Sequence, residues 1–139
     1  MNIYLDIDGV LLANDQYAAN YVHEFLKYVT KNYQTYWLTT HCKGDASYTV
    51  NHLARIFPQE TIALLDGIKA TNWDLAKTEA IDFSQPFLWF DDDLFDFERE
   101  VLVRHSALEN WIEVDLTKNE NMLKAFLDHF PVPIEHARE

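Results

Sequence analysis

The sequence predicts an α/β fold, a parallel five-stranded sheet with helices on both faces. Short apolar runs rich in β-branched and aromatic residues recur along the chain. Segments whose apolar residues repeat near every 3.6 positions separate them. Three of the runs stop abruptly at acidic or hydroxyl residues, as strands do where they deliver side chains to a ligand at the carboxyl edge of an open sheet.

Taken in order, the first strand is expected at about Ile3–Ile7, broken by Asp6, Asp8 and Gly9. Tyr17 to Lys31 reads as a helix, with Tyr17, Tyr21, Val22, Phe25, Leu26 and Val29 on one face. A strand follows at Tyr36–Thr39, then a helix from Ser47 to Phe57 carrying Val50, Leu53, Ala54 and Phe57. The apolar run Thr61–Leu65 reads as a strand and Thr71 to Ala80 as a short helix. Phe87–Phe90 and Trp111–Val114 complete the sheet, separated by a helix from Leu94 to Arg104. The last helix, Asn119 to Phe130, has Met122, Leu123, Phe126, Leu127 and Phe130 on one side. Thr117 with Glu120 reads as its capping box, and Pro131 and Pro133 as its stop. Right-handed crossovers put every strand's carboxyl end on one edge, giving a three-layer, Rossmann-like arrangement. Residues 1–130 form one expected domain, and 131–139 a surface tail.

Chemistry concentrates at the strand ends. Asp6-Ile7-Asp8-Gly9 ends the first apolar run, and Asp91-Asp92-Asp93 ends Pro86-Phe-Leu-Trp-Phe90, with Asp96 soon after. Paired carboxylates repel each other unless a cation lies between them, and a hard divalent ion, Mg2+ above all, is the usual answer. The run Tyr36-Trp-Leu38 ends in Thr39-Thr40, and Lys77 falls between that run and the second acidic cluster.

This order (strand and paired aspartates, strand and threonine, lysine, strand and acidic cluster) resembles the haloacid dehalogenase-like superfamily of phosphotransferases, from Ile3 to Asp96. The resemblance implies a phosphatase working through an aspartyl-phosphate on Asp6. Asp8 would then be the acid that protonates the leaving oxygen and the base that activates water, with its backbone carbonyl on the metal. Thr39 would bind the phosphoryl oxygens and Lys77 would neutralise charge on them and on Asp6. Asp92 would hold Mg2+ directly, with Asp91 and Asp96 beside it. Gly9 fits a sharp turn where backbone approaches phosphate closely.

Duller explanations stand beside these. Asp91 to Asp93, and Asp96, also suit the first turn of a helix, where the dipole favours acids. Thr39 also reads as a turn or cap residue, with Thr40 as the alternative if the register slips by one. A lone lysine in a helix is usually solvated, and Lys69 competes with Lys77; the spacing to Asp91 suits the superfamily better from Lys77. His41 and Cys42 read as loop residues shaping the substrate mouth or packing beneath it, because one cysteine without a paired spacing does not make a zinc site.

Composition limits the rest. With 139 residues, 48% hydrophobic and 14% aromatic, the chain can bury a real core. A single cysteine gives no disulfide framework. With no leader pattern and no apolar stretch of membrane-spanning length, cytoplasm is the expected compartment. A net charge of −12 argues against an extended nucleic-acid surface, which is ordinarily basic. A phosphorylated metabolite, or a phosphate at the end of something larger, fits better.

In the resembled superfamily a cap domain is inserted after the first motif or between the second and third. One helix uses most of Ala13 to Gln34, and Thr40 to Lys77 has room for the helix, strand and helix that the core itself requires. The site is therefore expected to be open, closed at most by the Leu11–Gln16 loop and by side chains such as His41 or Tyr48. Capless members act on large substrates or borrow a lid from a partner subunit. Two other classes remain. A PIN-like nuclease also starts on a strand ending in an acid, but a metal-only hydrolase needs neither the threonine nor the lysine. A receiver-like sensing module also combines acids, a threonine and a lysine, but its phosphorylated aspartate comes from a later strand, and Asp8 supplies the acid/base that turnover requires.

Overall fold

A computed structural model describes residues 1–14 and 16–129. In chain order the regular elements are β1 (Asn2–Leu5), β2 (Leu12–Asn14), β3 (Tyr17–Ala18), α1 (Val22–Asn32), β4 (Gln34–Trp37), α2 (Ser47–Leu53) and α3 (Gln59–Ile62). They continue with β5 (Ile68–Lys69), β6 (Phe87–Asp91), α4 (Asp96–Arg104), β7 (Trp111–Glu113) and α5 (Met122–His129). The main sheet has five strands in the order β5-β4-β1-β6-β7, all parallel. The expected α/β class and five-stranded parallel sheet are thus present.

Alternation along the central strands feeds two cores. Ile3 and Leu5 of β1 and Phe90 of β6 join a cluster with Phe25, Leu26 and Val29 of α1 and Leu123 of α5. Tyr4 of β1, and Phe87 and Trp89 of β6, join a second with Leu102 of α4. A period of two sends neighbouring side chains to opposite faces, so helices cover both sides. Phe25 meets Phe90 edge-on at 5.3 Å and 81°. Burying one such side chain contributes about 1.5–3 kcal/mol, and Phe25→Ala should cost about 3–5 kcal/mol through lost area and a cavity.

The topology creates the site. From β1 the chain moves through α1 to β4 and β5 on one side, then returns to β6 on the other side of β1. The order reverses between β1 and β6, the place where open parallel sheets bind ligands beyond their strand ends. β1 and β6 pair in register from Asn2↔Phe87 to Leu5↔Phe90. Asp6 therefore stands level with Asp91, and its N–H donates to the Phe90 carbonyl at 3.1 Å.

Several expected elements differ. Thr61–Leu65 is not a strand; it lies in α3 and a 3-10 turn at Ala63–Gly67, and the fifth strand is Ile68–Lys69. The Pro58 carbonyl accepts the N–H groups of Thr61 and Ile62 at 3.0 and 3.1 Å, starting a helical turn. A short apolar run cannot be told from a buried helical one by periodicity. Thr71 to Ala80 is not one helix; only Lys77–Ala80 forms a 3-10 turn. The Glu79 carboxylate accepts the N–H groups of Asp74, Leu75 and Ala76, which fixes that stretch as a loop.

Tyr17 belongs to a β2–β3 hairpin, so the first helix starts only at Val22. Of the expected Leu11–Gln16 loop, Leu12–Asn14 is accordingly strand β2 of this hairpin. The second helix stops at Leu53 and the fourth starts at Asp96. No Thr117–Glu120 box forms: Asp115 Oδ1 takes the N–H groups of Thr117 and Lys118, and α5 begins at Met122. Phe130, Pro131, Pro133 and the rest of the tail fall outside the described residues. Among the described residues no helix is long and apolar enough to cross a membrane.

Candidate functional site

Asp6, Asp91 and Asp92 each bring one carboxylate oxygen to within 4.8 Å of the others. Asp6 is supplied by the end of β1, Asp91 by the last position of β6 and Asp92 by the residue after it. Asp6 is 7% and Asp91 1% exposed, so their charges are poorly screened.

Asp91 is the most engaged of the three. Its Oδ2 accepts from Lys77 Nζ at 2.7 Å and Trp89 Nε1 at 3.1 Å. Its Oδ1 accepts the N–H groups of Asp92 and Asp93 at 2.8 and 3.3 Å. Even so, burial and then the charge of Asp6 push its carboxyl up to about 6. Burial, then the hydrogen bond and charge of Asp91, push Asp92 up to about 6 as well. The four donors do not outweigh the crowding of negative charge.

Lys77 is the cation of the site. Its Nζ lies 2.7 Å from Asp91 and 3.6 Å from Asp6. Burial works against the ammonium, but the charges of Asp6 and Asp91 outweigh it and raise the pKa. Glu98, 3% exposed on α4, holds the lysine's backbone by accepting its N–H at 3.0 Å on Oε2. Its Oε1 takes the N–H of Phe95 at 3.2 Å, half of a capping box. Burial raises the Glu98 carboxyl. Lys69 is elsewhere: it donates to Gln34 Oε1 at 2.8 Å and lies over the Tyr36 ring.

Gly9 shapes the loop after β1. Its φ is +79°, and a Cβ there would stand 2.5 Å from Asp92 Oδ2. Glycine alone lets this loop turn left-handed and lets Asp92 lie against its backbone. The N–H groups of Val10, Leu11 and Leu12 all reach the Ile7 carbonyl, at 3.1, 2.9 and 3.1 Å, drawing the loop tight.

Asp8 leaves the cluster. Its side chain is 57% exposed, and its Oδ2 lies 2.8 Å from His41 Nε2. Thr39 is fully buried at the carboxyl end of β4, its Oγ1 accepting the His41 N–H at 3.4 Å. Leu38 N–H donates to the Leu5 carbonyl at 2.8 Å, holding Thr39 beside the β1 end. Thr40 faces solvent. Asp96 is the first residue of α4, exposed and outside the three-oxygen group; its place fits a first-turn acid.

Of the predicted residues, the fold thus gathers Asp6, Asp91, Asp92 and Lys77, with Gly9 packed on Asp92. Thr39, Asp8 and His41 line the adjoining edge. Glu98 and Trp89 went unpredicted. A glutamate three residues after a phenylalanine lacks the Ser/Thr that marks a capping box, and no local signal points the Trp89 indole at Asp91.

The cluster suits a divalent cation. One ammonium against three carboxylates leaves two negative charges. The oxygen-only donor set is that of hard ions. Comparison of the chain with protein-family models, with curated proteins and with solved structures finds no match.

Proposed function

We propose that this protein is a Mg2+-dependent phosphatase of haloacid dehalogenase-like type, acting through an aspartyl-phosphate (an acyl phosphate) on Asp6. One observation carries the reading. Two carboxylates of one loop, Asp6 and Asp8, occupy opposed environments: Asp6 is buried 3.6 Å from Lys77, while Asp8 stands 57% exposed beside His41. Divided surroundings suit two acids with two jobs, one a nucleophile and one an acid/base.

Asp6 attacks phosphorus, and the bond from phosphorus to the leaving oxygen breaks. Asp8 gives that oxygen its proton. The Asp8 carboxylate then takes a proton from the water that attacks the Asp6 phosphate, releasing inorganic phosphate and restoring Asp6. Lys77 neutralises the oxygens that gain charge, and Thr39 offers them a hydroxyl. Asp6, Asp92 and Asp91, with the Asp8 carbonyl, would hold Mg2+. When bound it screens the repulsion between Asp6 and the phosphoryl group. Trp89, Glu98 and the Asp92 and Asp93 N–H groups fix Asp91 and Lys77, so the charges are set before substrate arrives.

Hydrolysis of an aryl phosphate with and without Mg2+, with Asp6→Asn as control, tests this. The expected result is metal-dependent turnover that the variant loses while it keeps its fold and part of its metal affinity. Strand cleavage by the parent, lost together with metal binding in the variant, would instead establish a nuclease. Lys77, seated among the carboxylates, is a feature that a metal-only hydrolase does not need.

A further inference from the structure

Three rings stand parallel beside Asp8. The His41 ring, whose Nε2 is 2.8 Å from Asp8 Oδ2, lies within 13° of the Tyr48 plane and 14° of the His52 plane. Tyr48 and His52 are within 2° of each other. The centroids are 6.2, 5.4 and 6.4 Å apart. In a stacked column one separation would be about twice the other two. Three near-equal separations mean that the rings are offset sideways, presenting one orientation over a wider area than a single ring.

Local structure holds the group in place. Tyr48 and His52 are four residues apart on α2 and so share a side of it. Thr49 Oγ1 donates to the His41 carbonyl at 2.9 Å, tying the loop after β4 to the helix. Yet Tyr48 is 65% exposed. An oriented ring left in water beside a catalytic acid offers a stacking surface.

We infer that this array binds the leaving group, and that the substrate is a phosphate monoester whose alcohol part carries a flat heteroaromatic ring, a nucleoside monophosphate being the representative. The inference rests on the phosphatase reading, since it takes Asp8 to face the leaving oxygen. The array begins one hydrogen bond from Asp8, at His41, and Tyr48 and His52 extend it as neighbours of that ring. The ring it accepts is therefore separated from the leaving oxygen by a spacer, as a sugar separates base from phosphate. A single nucleotide is favoured over a strand because the net charge of −12 opposes a polyphosphate backbone.

The test compares adenosine monophosphate with ribose 5-phosphate, which shares the phosphate and sugar but lacks the ring. Binding to the Asp6→Asn protein in Mg2+ is measured by titration calorimetry. Adenosine monophosphate should bind about 10-fold more tightly, the size of one stacking contact. Tyr48→Leu should erase that preference without changing the affinity for ribose 5-phosphate. Exposure of Tyr48 keeps the fold out of question. Equal affinities, no binding of either ligand, or a preference unmoved by Tyr48→Leu would overturn the inference. Tighter binding of a short oligonucleotide ending in the same nucleotide would overturn its single-nucleotide form. Aryl phosphate turnover by the parent protein reports separately on the phosphatase reading, so the two fail distinguishably.

Discussion

Asp6 and Asp8 differ by two positions in sequence and by most of their surroundings. Asp6 belongs to a buried inner half with Asp91, Lys77 and Glu98, in which every charge has a charged neighbour and backbone donors hold the geometry. Asp8 belongs to an exposed outer half with His41 and Tyr48, where solvent screens the charges and the partners are rings. The inner half couples stability to chemistry. The outer half leaves stability alone and is free to set what the site accepts.

The largest break in that contrast should come from Lys77→Met. It strands the buried carboxylates, so the metal-free protein should lose about 3 kcal/mol in urea denaturation. Phosphatase activity should fall about 10²–10³-fold. Saturating Mg2+ should recover part of the stability but not the rate.

Gly9→Ala comes next. Forcing a Cβ into a left-handed turn costs roughly 1–2 kcal/mol. That Cβ also displaces Asp92, whose Oδ2 it would meet at 2.5 Å. Mg2+ affinity, read by calorimetry, should drop about 10-fold. An unchanged affinity would show that Asp92 is not a ligand.

Asp92→Asn sharpens the contrast through pH. The folded Asp92 titrates at about 6 against an ordinary 3.8, so the fold binds this proton more tightly than the unfolded chain does. The stabilisation is present at low pH and lost as pH rises from about 4 to about 6. In chelator, the variant should therefore gain stability relative to the parent across that window. In Mg2+ near pH 7 the order should reverse, because only the parent keeps the full ligand set.

Asp8→Asn should have the smallest structural effect, no more than about 1 kcal/mol, as befits an exposed pair. Its kinetic signature is specific: slow overall turnover, with Asp6 still phosphorylated by a substrate bearing a good leaving group. Equal loss of both steps would remove the acid/base role.

The strand ends were legible because they join two signals. Ile3-Tyr4-Leu5 and Phe87-Leu-Trp-Phe90 are too apolar to lie on a surface, and the acids that stop them are too costly to bury without a purpose. β5 was not legible: Ile68-Lys69 is two residues long, and the stronger apolar run beside it is helical. The stretch before Lys77 misled because Glu79 turns back onto three backbone N–H groups, a local competition that side-chain periodicity does not reveal. Glu98 looked like one more surface acid on an amphipathic helix, and only the packing of α4 against the turn at Lys77 buries it.

The sequence by itself determined that strands alternate with helices and that acids, threonine and lysine fall near strand ends, because hydrophobic periodicity and the cost of buried charge act residue by residue. Tertiary structure decided that Lys77, which the sequence favoured over Lys69, meets the carboxylates, and it alone decided that Asp96 stays outside and that Asp8 turns toward His41 while Asp6 turns inward. Those outcomes depend on parallel pairing of β1 with β6 and β4 across long separations. Distances of a few ångströms between such residues are set by the register and packing of whole elements, which no local pattern carries.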